Sequence, residues 1–155
     1  MSEEFSFSVS FKMPTPEHME AFSEVLEHLE LYEEDEAEAI LQQHQLEAAQ
    51  ALIPALTSPH SSYHQQSRLV KMYIDTYEDS HCDASFKVTG GGKKGKIKLE
   101  GSDHDADDVC AALVLLLIAM EAQSIQAMGG SDFWTVEYHS SADGHVSATF
   151  TSEGS

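Results

Sequence analysis

The sequence predicts an α+β fold in which an antiparallel sheet of about five or six strands packs on three helices. Three observations carry this. Period-two alternation opens the chain, helical stripes follow it, and short β-rich segments separated by Gly, Asp and Ser fill much of the remainder. The chain has 155 residues, 41% of them hydrophobic, which suits one domain over 1–155 with a core of its own.

Phe5, Phe7, Val9 and Phe11 alternate with Ser6, Ser8, Ser10 and Lys12, the pattern of a strand with one face buried. Thr15-Pro16-Glu17 reads as an N-cap followed by proline at the first helical position. Met19, Phe22, Val25, Leu26 and Leu29 then form one helical stripe ending near Leu31 or Tyr32. Four consecutive acids, Glu33 to Glu36, repel along a helix, so a break is expected there. Asp35 with Glu38 suggests a capping box opening a second helix through Ala37, Ile40, Leu41, Ala48 and Leu52 toward Pro54.

Thr57 to Gln66, rich in Ser, Pro, His and Gln, reads as a loop. Arg68 to Tyr77 carries β-branched and aromatic residues and is predicted as a strand, with a turn over Asp79–Asp83 and a second strand over Ala84–Thr89. Gly90-Gly91-Gly92-Lys93-Lys94-Gly95 is a flexible reversal leading into Lys96–Glu100. Ser102 to Asp108 precede the most apolar run, Val109–Met120, predicted as the central core helix and ended by Gly129-Gly130. Phe133–His139 and His145–Phe150 form a hairpin around Ala142-Asp143-Gly144, giving the order β-α-α-β-β-β-α-β-β.

Charge is the most informative quantity: 8 basic against 27 acidic residues give a net charge of -19. Lys12 is the one basic residue before Arg68, and none follows Lys98, so two acidic ends flank a weakly basic middle. This disfavours direct nucleic-acid binding and anionic membrane surfaces, both of which need Lys and Arg. It favours a basic protein partner, because opposite potentials speed encounter. No run of about 18 apolar residues exists, and the N-terminus carries acids where a signal peptide needs a positive region, so a cytoplasmic protein is expected. Cys82 and Cys110 stand alone and read as reduced thiols, Cys110 in the core.

The candidate partner-binding residues are Glu20, Glu24, Glu27, Glu30, Glu33, Glu34, Asp35, Glu36 and Glu38. Spacings of three and four put Glu17, Glu20, Glu24 and Glu27 on one helical face. Such rows can imitate the spaced charge of a nucleic-acid backbone. The expected function is that of a non-enzymatic acidic protein inhibiting a basic, nucleic-acid-binding partner such as a nuclease. Size and charge are similar to those of small immunity-type inhibitors and anti-defence proteins, but no diagnostic motif is shared. An assembly or adaptor role is the competing binding reading, and self-association as a homodimer is compatible with either. An acidic helical face is, against all of these, most often simply a solvated one.

No cofactor or metal is expected. An EF-hand loop starting at Asp103 would need Gly and Glu where Asp108 and Val114 stand. His18, His28 and His44 fall on the acidic helices, where carboxylates favour imidazolium, and read as surface residues. An enzymatic alternative uses His145 with His60 or His139. His60-Ser61-Ser62 and His145-Val146-Ser147 share a His-x-Ser form similar to the paired motifs of two-histidine phosphoesterases, although His139-Ser140-Ser141 shows how readily the pattern arises. The glycine-lysine run lacks P-loop order and reads as a hairpin tip whose lysines could meet the acidic helices or a second subunit. Trp134, Tyr138, Tyr73 and Tyr77 read as core or sheet-face aromatics.

Overall fold

A computed structural model describes residues 4–65 and 68–152. The predicted class holds: six antiparallel strands form one sheet, with helices on one of its faces. The elements are β1 (Glu4–Lys12), α1 (Pro16–Glu30), α2 (Glu34–Gln42), α3 (Leu46–Gln50), α4 (Ile53–Leu56), α5 (Leu69–Asp79), β2 (Asp83–Thr89), β3 (Lys94–Ser102), α6 (Ala106–Ala119), β4 (Gln123–Gly130), β5 (Trp134–Ser140) and β6 (Val146–Ser152). The sheet order is β2-β3-β1-β4-β5-β6, which places the first strand of the chain at the centre.

The core lies between the sheet's inner face and α6. Phe5, Phe7, Val9 and Phe11 of β1, Ile97 and Leu99 of β3, and Val136 and Tyr138 of β5 point into it. Twelve residues of α6 are buried, in keeping with a helix apolar on every side that is wrapped by other helices. α5, α3 and α4 contact it. The shared apolar cluster extends from Phe5 to Tyr138.

The predicted start of α1 is observed: Thr15 adopts extended backbone and its Oγ1 accepts from the His18 N–H. A break between the helices is also present, but at Leu31–Glu33 rather than across Glu33–Glu36, with Tyr32 in the left-handed region (φ 58°) and Glu34–Glu36 already in α2. Asp35 does not cap α2. It lies inside the first turn with Glu34 and Glu36, near the positive helix end, and Glu34 and Glu38 are turned toward Arg68.

Three assignments differ from expectation. The second predicted helix divides into α2, α3 and α4, because the chain turns at Gln43–Gln45 to dock the Gln45 N–H on the Ala119 carbonyl at the end of α6. Arg68–Tyr77 is not a strand: Arg68 is the N-cap of α5 and residues 69–77 make up most of that helix; Leu69, Val70, Met72, Tyr73, Ile74 and Thr76 are buried there, and packing on α6 overrides the β-branched composition. Residues 123–130 are a strand, β4, so α6 is stopped by the reversal at Met120–Ala122 and not by Gly129-Gly130. Gly129 instead answers a close approach. A Cβ there would sit 2.2 Å from the Ser6 carbonyl oxygen and 2.6 Å from the Phe7 Cα. The loop from Thr57 is as expected through Gln65; Gln66 lies outside the described residues.

Candidate functional site

Among the described residues no helix covers the outer face of the sheet, and the strand alternation that buries the phenylalanines of β1 sends its serines outward. The same alternation exposes Lys12, Lys87, Lys94, Lys96 and Lys98 on this face, five of the eight basic residues of the chain. Register sets like charges opposite one another, Lys12 with Lys94 and Lys87 with Lys96. Lys98 pairs with Glu100 at 2.9 Å. A shallow depression of about 460 Å³ runs from these lysines past Ser8, Ser10 and Gln126 to His139. Lys94 and Lys96 of the hairpin therefore point away from the acidic helices, although the tip itself packs at Gly92 against Pro16 at the start of α1.

The opposite side is the acidic pole. On α1 the buried Met19, Phe22, Val25 and Leu29 face the core, leaving Glu17, Glu20, Glu24 and Glu27 together on the solvent side, as the spacing predicts. The candidate acids then divide by what they touch. Glu34 and Glu38 hold the Arg68 guanidinium at 3.7 and 3.1 Å, and Glu33 takes His28 Nδ1 at 2.8 Å. The Glu33 hydrogen bond holds His28 above its ordinary pKa, with Glu36 and Glu24 adding to it. Glu20, Glu24, Glu27, Glu30, Asp35 and Glu36 make no ion pair among the described residues.

Glu27 and Glu30 belong to a feature that periodicity does not reveal. Between α1, α5 and β2 lies a groove of about 580 Å³, with a floor of Leu26, Leu29, Tyr73, Ile74, Tyr77 and Phe86. Leu31 and Tyr32, left outside when α1 ends, stand at its mouth 61% and 63% exposed. Glu27, Glu30 and Glu78 form its rim. Tyr73 and Tyr77 stack at 5.5 Å between ring centroids. Burial, with the nearby Cys82 and Glu30, pushes the Tyr77 phenol up to about 12, so it stays a neutral donor. Both tyrosines come from the segment read as a strand, which is why the groove is invisible until α5 is known to be a helix.

The histidines of the enzymatic alternative are not brought together by any contact among the described residues. His60 is exposed in the loop on the helix side, where neighbouring Ser61 donates to Asp108. His139 lies on the open sheet face against Gln126. The His145 side chain is 86% exposed in the β5–β6 turn beside Asp143. Asp103, from the acidic run that resembles a cation loop, accepts from Trp134 Nε1 at 2.6 Å and from Ser131 Oγ at 2.9 Å, a structural acceptor tying the α6 approach to β5. Among the described residues two groups of potential metal ligands converge instead: His18, His44 and Glu121, and the more exposed Asp79, His104 and Asp105. No described helix is long and apolar enough to cross a membrane. Compared with models of protein families, with curated proteins and with solved structures, the chain matches none.

Proposed function

We propose that this chain works by binding a basic protein, and that it occupies the surface with which that partner holds nucleic acid. The observation that supports this best is the groove between α1, α5 and β2, where an apolar, aromatic floor lies beneath the rim carboxylates Glu27, Glu30 and Glu78. A basic segment with one apolar face fits such a groove: its hydrophobic side chains desolvate against Tyr73, Tyr77 and Phe86, and its Lys or Arg reach the rim. Glu20 and Glu24 extend the negative field along α1. The lysine-bearing sheet face repels the same partner, so the molecule presents its helical side on encounter.

The test uses wild-type protein and a Glu24→Gln/Glu27→Gln/Glu30→Gln variant as paired baits, with the captured protein then purified and its affinity measured at several salt concentrations. Glu34 is left intact because it supports Arg68. The proposal expects a basic nucleic-acid-binding protein whose nucleic-acid complex is displaced by wild type. Affinity should fall at least tenfold in the triple variant and in Tyr32→Ala, with a reduced salt dependence in the triple variant. A partner bound equally by all three proteins, or one that keeps its nucleic acid in the complex, overturns it.

A further inference from the structure

We propose that His18, His44 and Glu121 form a binding site for one first-row divalent cation of the zinc type. His18 Nε2 lies 3.1 Å and His44 Nδ1 2.9 Å from the same oxygen, Glu121 Oε2. A tetrahedral ion bonded to imidazole nitrogen and carboxylate oxygen at about 2.0–2.2 Å places its ligand atoms about 3.3 Å apart, within a few tenths of an ångström of these separations. The donor set of two imidazoles and one carboxylate suits zinc and its neighbours better than calcium or magnesium.

The three ligands come from separate segments, each fixed independently. His18 is in the first turn of α1, and its second ring nitrogen is 2.7 Å from Thr15 Oγ1, which leaves Nε2 to face the site. His44 is in the α2–α3 turn, anchored next door by the Gln45 N–H on the Ala119 carbonyl at 2.8 Å. Glu121 follows α6 with φ 67°, where the Ala122 N–H closes on the Leu117 carbonyl. That left-handed position after a helix favours glycine, and an L-residue there costs roughly 1 kcal/mol. Tyr32 and His81 close α1 and α5 with the same left-handed turn, so it is the common helix end of this chain, and at Glu121 it sets the carboxylate between the two imidazoles. The side chains are 21%, 19% and 39% exposed, so water can enter and complete the coordination. A bound ion would clasp the start of α1, the α2–α3 turn and the end of α6, holding the acidic helices on the core. None of the three ligands lines the groove between α1, α5 and β2, so the site stands whether or not a partner docks there.

The experiment is titration of chelator-treated protein with Zn²⁺ by calorimetry, with thermal unfolding and Co²⁺ absorption in parallel. Wild type is expected to bind one equivalent, to melt at higher temperature with Zn²⁺ than with chelator, and to give Co²⁺ d–d bands of a four- or five-coordinate nitrogen and oxygen site. His44→Gln and Glu121→Gly should each weaken Zn²⁺ at least tenfold. Glu121→Gly is the decisive variant: relief of the left-handed backbone offsets part of what the two lost histidine contacts cost, so the metal-free protein still folds, as its thermal unfolding checks, while the ligand is gone. His28→Gln, which disturbs a histidine–carboxylate pair elsewhere, should bind as wild type does. Saturable binding of equal affinity in wild type and Glu121→Gly, or no one-equivalent binding in wild type, overturns the assignment.

Discussion

Replacing Asp108 by asparagine isolates the cost of a buried charge. Asp108 is 4% exposed near the start of α6, beneath the loop that carries Ser61 and Tyr63. Burial first, then Asp107 and Asp105, raise its pKa to about 6, while the Ser61 hydroxyl, 2.5 Å from Oδ1, opposes the rise. In the unfolded chain the group titrates at about 4. Between those values the native state holds a proton that the unfolded state has lost, so this contribution to stability is full below about pH 4 and disappears as pH rises through about 6. Two pKa units correspond to about 3 kcal/mol, and halving for nearby solvent leaves about 1–2 kcal/mol. The asparagine side chain cannot ionise. Denaturant unfolding of wild type and Asp108→Asn at pH 4, 6 and 8 is expected to give nearly equal stabilities at pH 4, with the variant ahead by about 1–2 kcal/mol at pH 8. Ser61→Ala should show the opposite asymmetry, costing more at pH 8 than at pH 4, because the lost hydroxyl supports the charged form. A stability difference for Asp108→Asn that is the same at pH 4 and 8, or of reversed sign at pH 8, refutes the reasoning.

Other outcomes follow from the packing. Gly129→Ala drives a Cβ into the backbone of β1 at the centre of the sheet and is expected to cost about 3 kcal/mol, read as a fall of roughly 6–12 °C in Tm. Burial raises the Cys82 thiol to about 12 and Cys110 well above its ordinary value, so a thiol reagent at pH 8 should label neither in the native protein and both together on unfolding. Glu33→Gln removes the hydrogen bond that holds the His28 pKa up, and a proton titration followed by NMR should show it move down, with the other histidines unchanged.

What the sequence makes legible here is local. β1, the Thr15 cap, the glycine reversal between β2 and β3, and the last hairpin are each written in residues a few positions apart. What it hides is decided by contacts far along the chain. Leu69–Asp79 has strand-like composition and becomes a helix because α6 offers it an apolar surface. Gly129 looks like a helix stop and is instead a gap for the first strand of the chain, at Phe7. The acids of α1 can be placed on one face by counting, yet the groove they border requires α5 beside them. The same limit applies to the histidines: His18 and His44 each read as a solvated residue on an acidic helix, and only folding brings Glu121 between them.

The central position of β1 leaves β2 and β6 as the two edges of an open sheet, and they are defended differently. β2 carries Asp83 and Lys87 and lies beside a lysine-rich neighbour, so an incoming strand meets charge. β6, Val-Ser-Ala-Thr-Phe-Thr-Ser, has neither charge nor proline, and it is rich in residues that favour extended backbone. Its protection against pairing with a second copy is the mutual repulsion of molecules bearing a net charge of -19. That defence is lent by carboxylates elsewhere and is withdrawn when they take up protons. Acidification to about pH 4.5, where positive and negative charges balance, thus opens a route to intermolecular strand addition at β6, and Thr149→Lys, in the middle of that strand, would close it without touching the core.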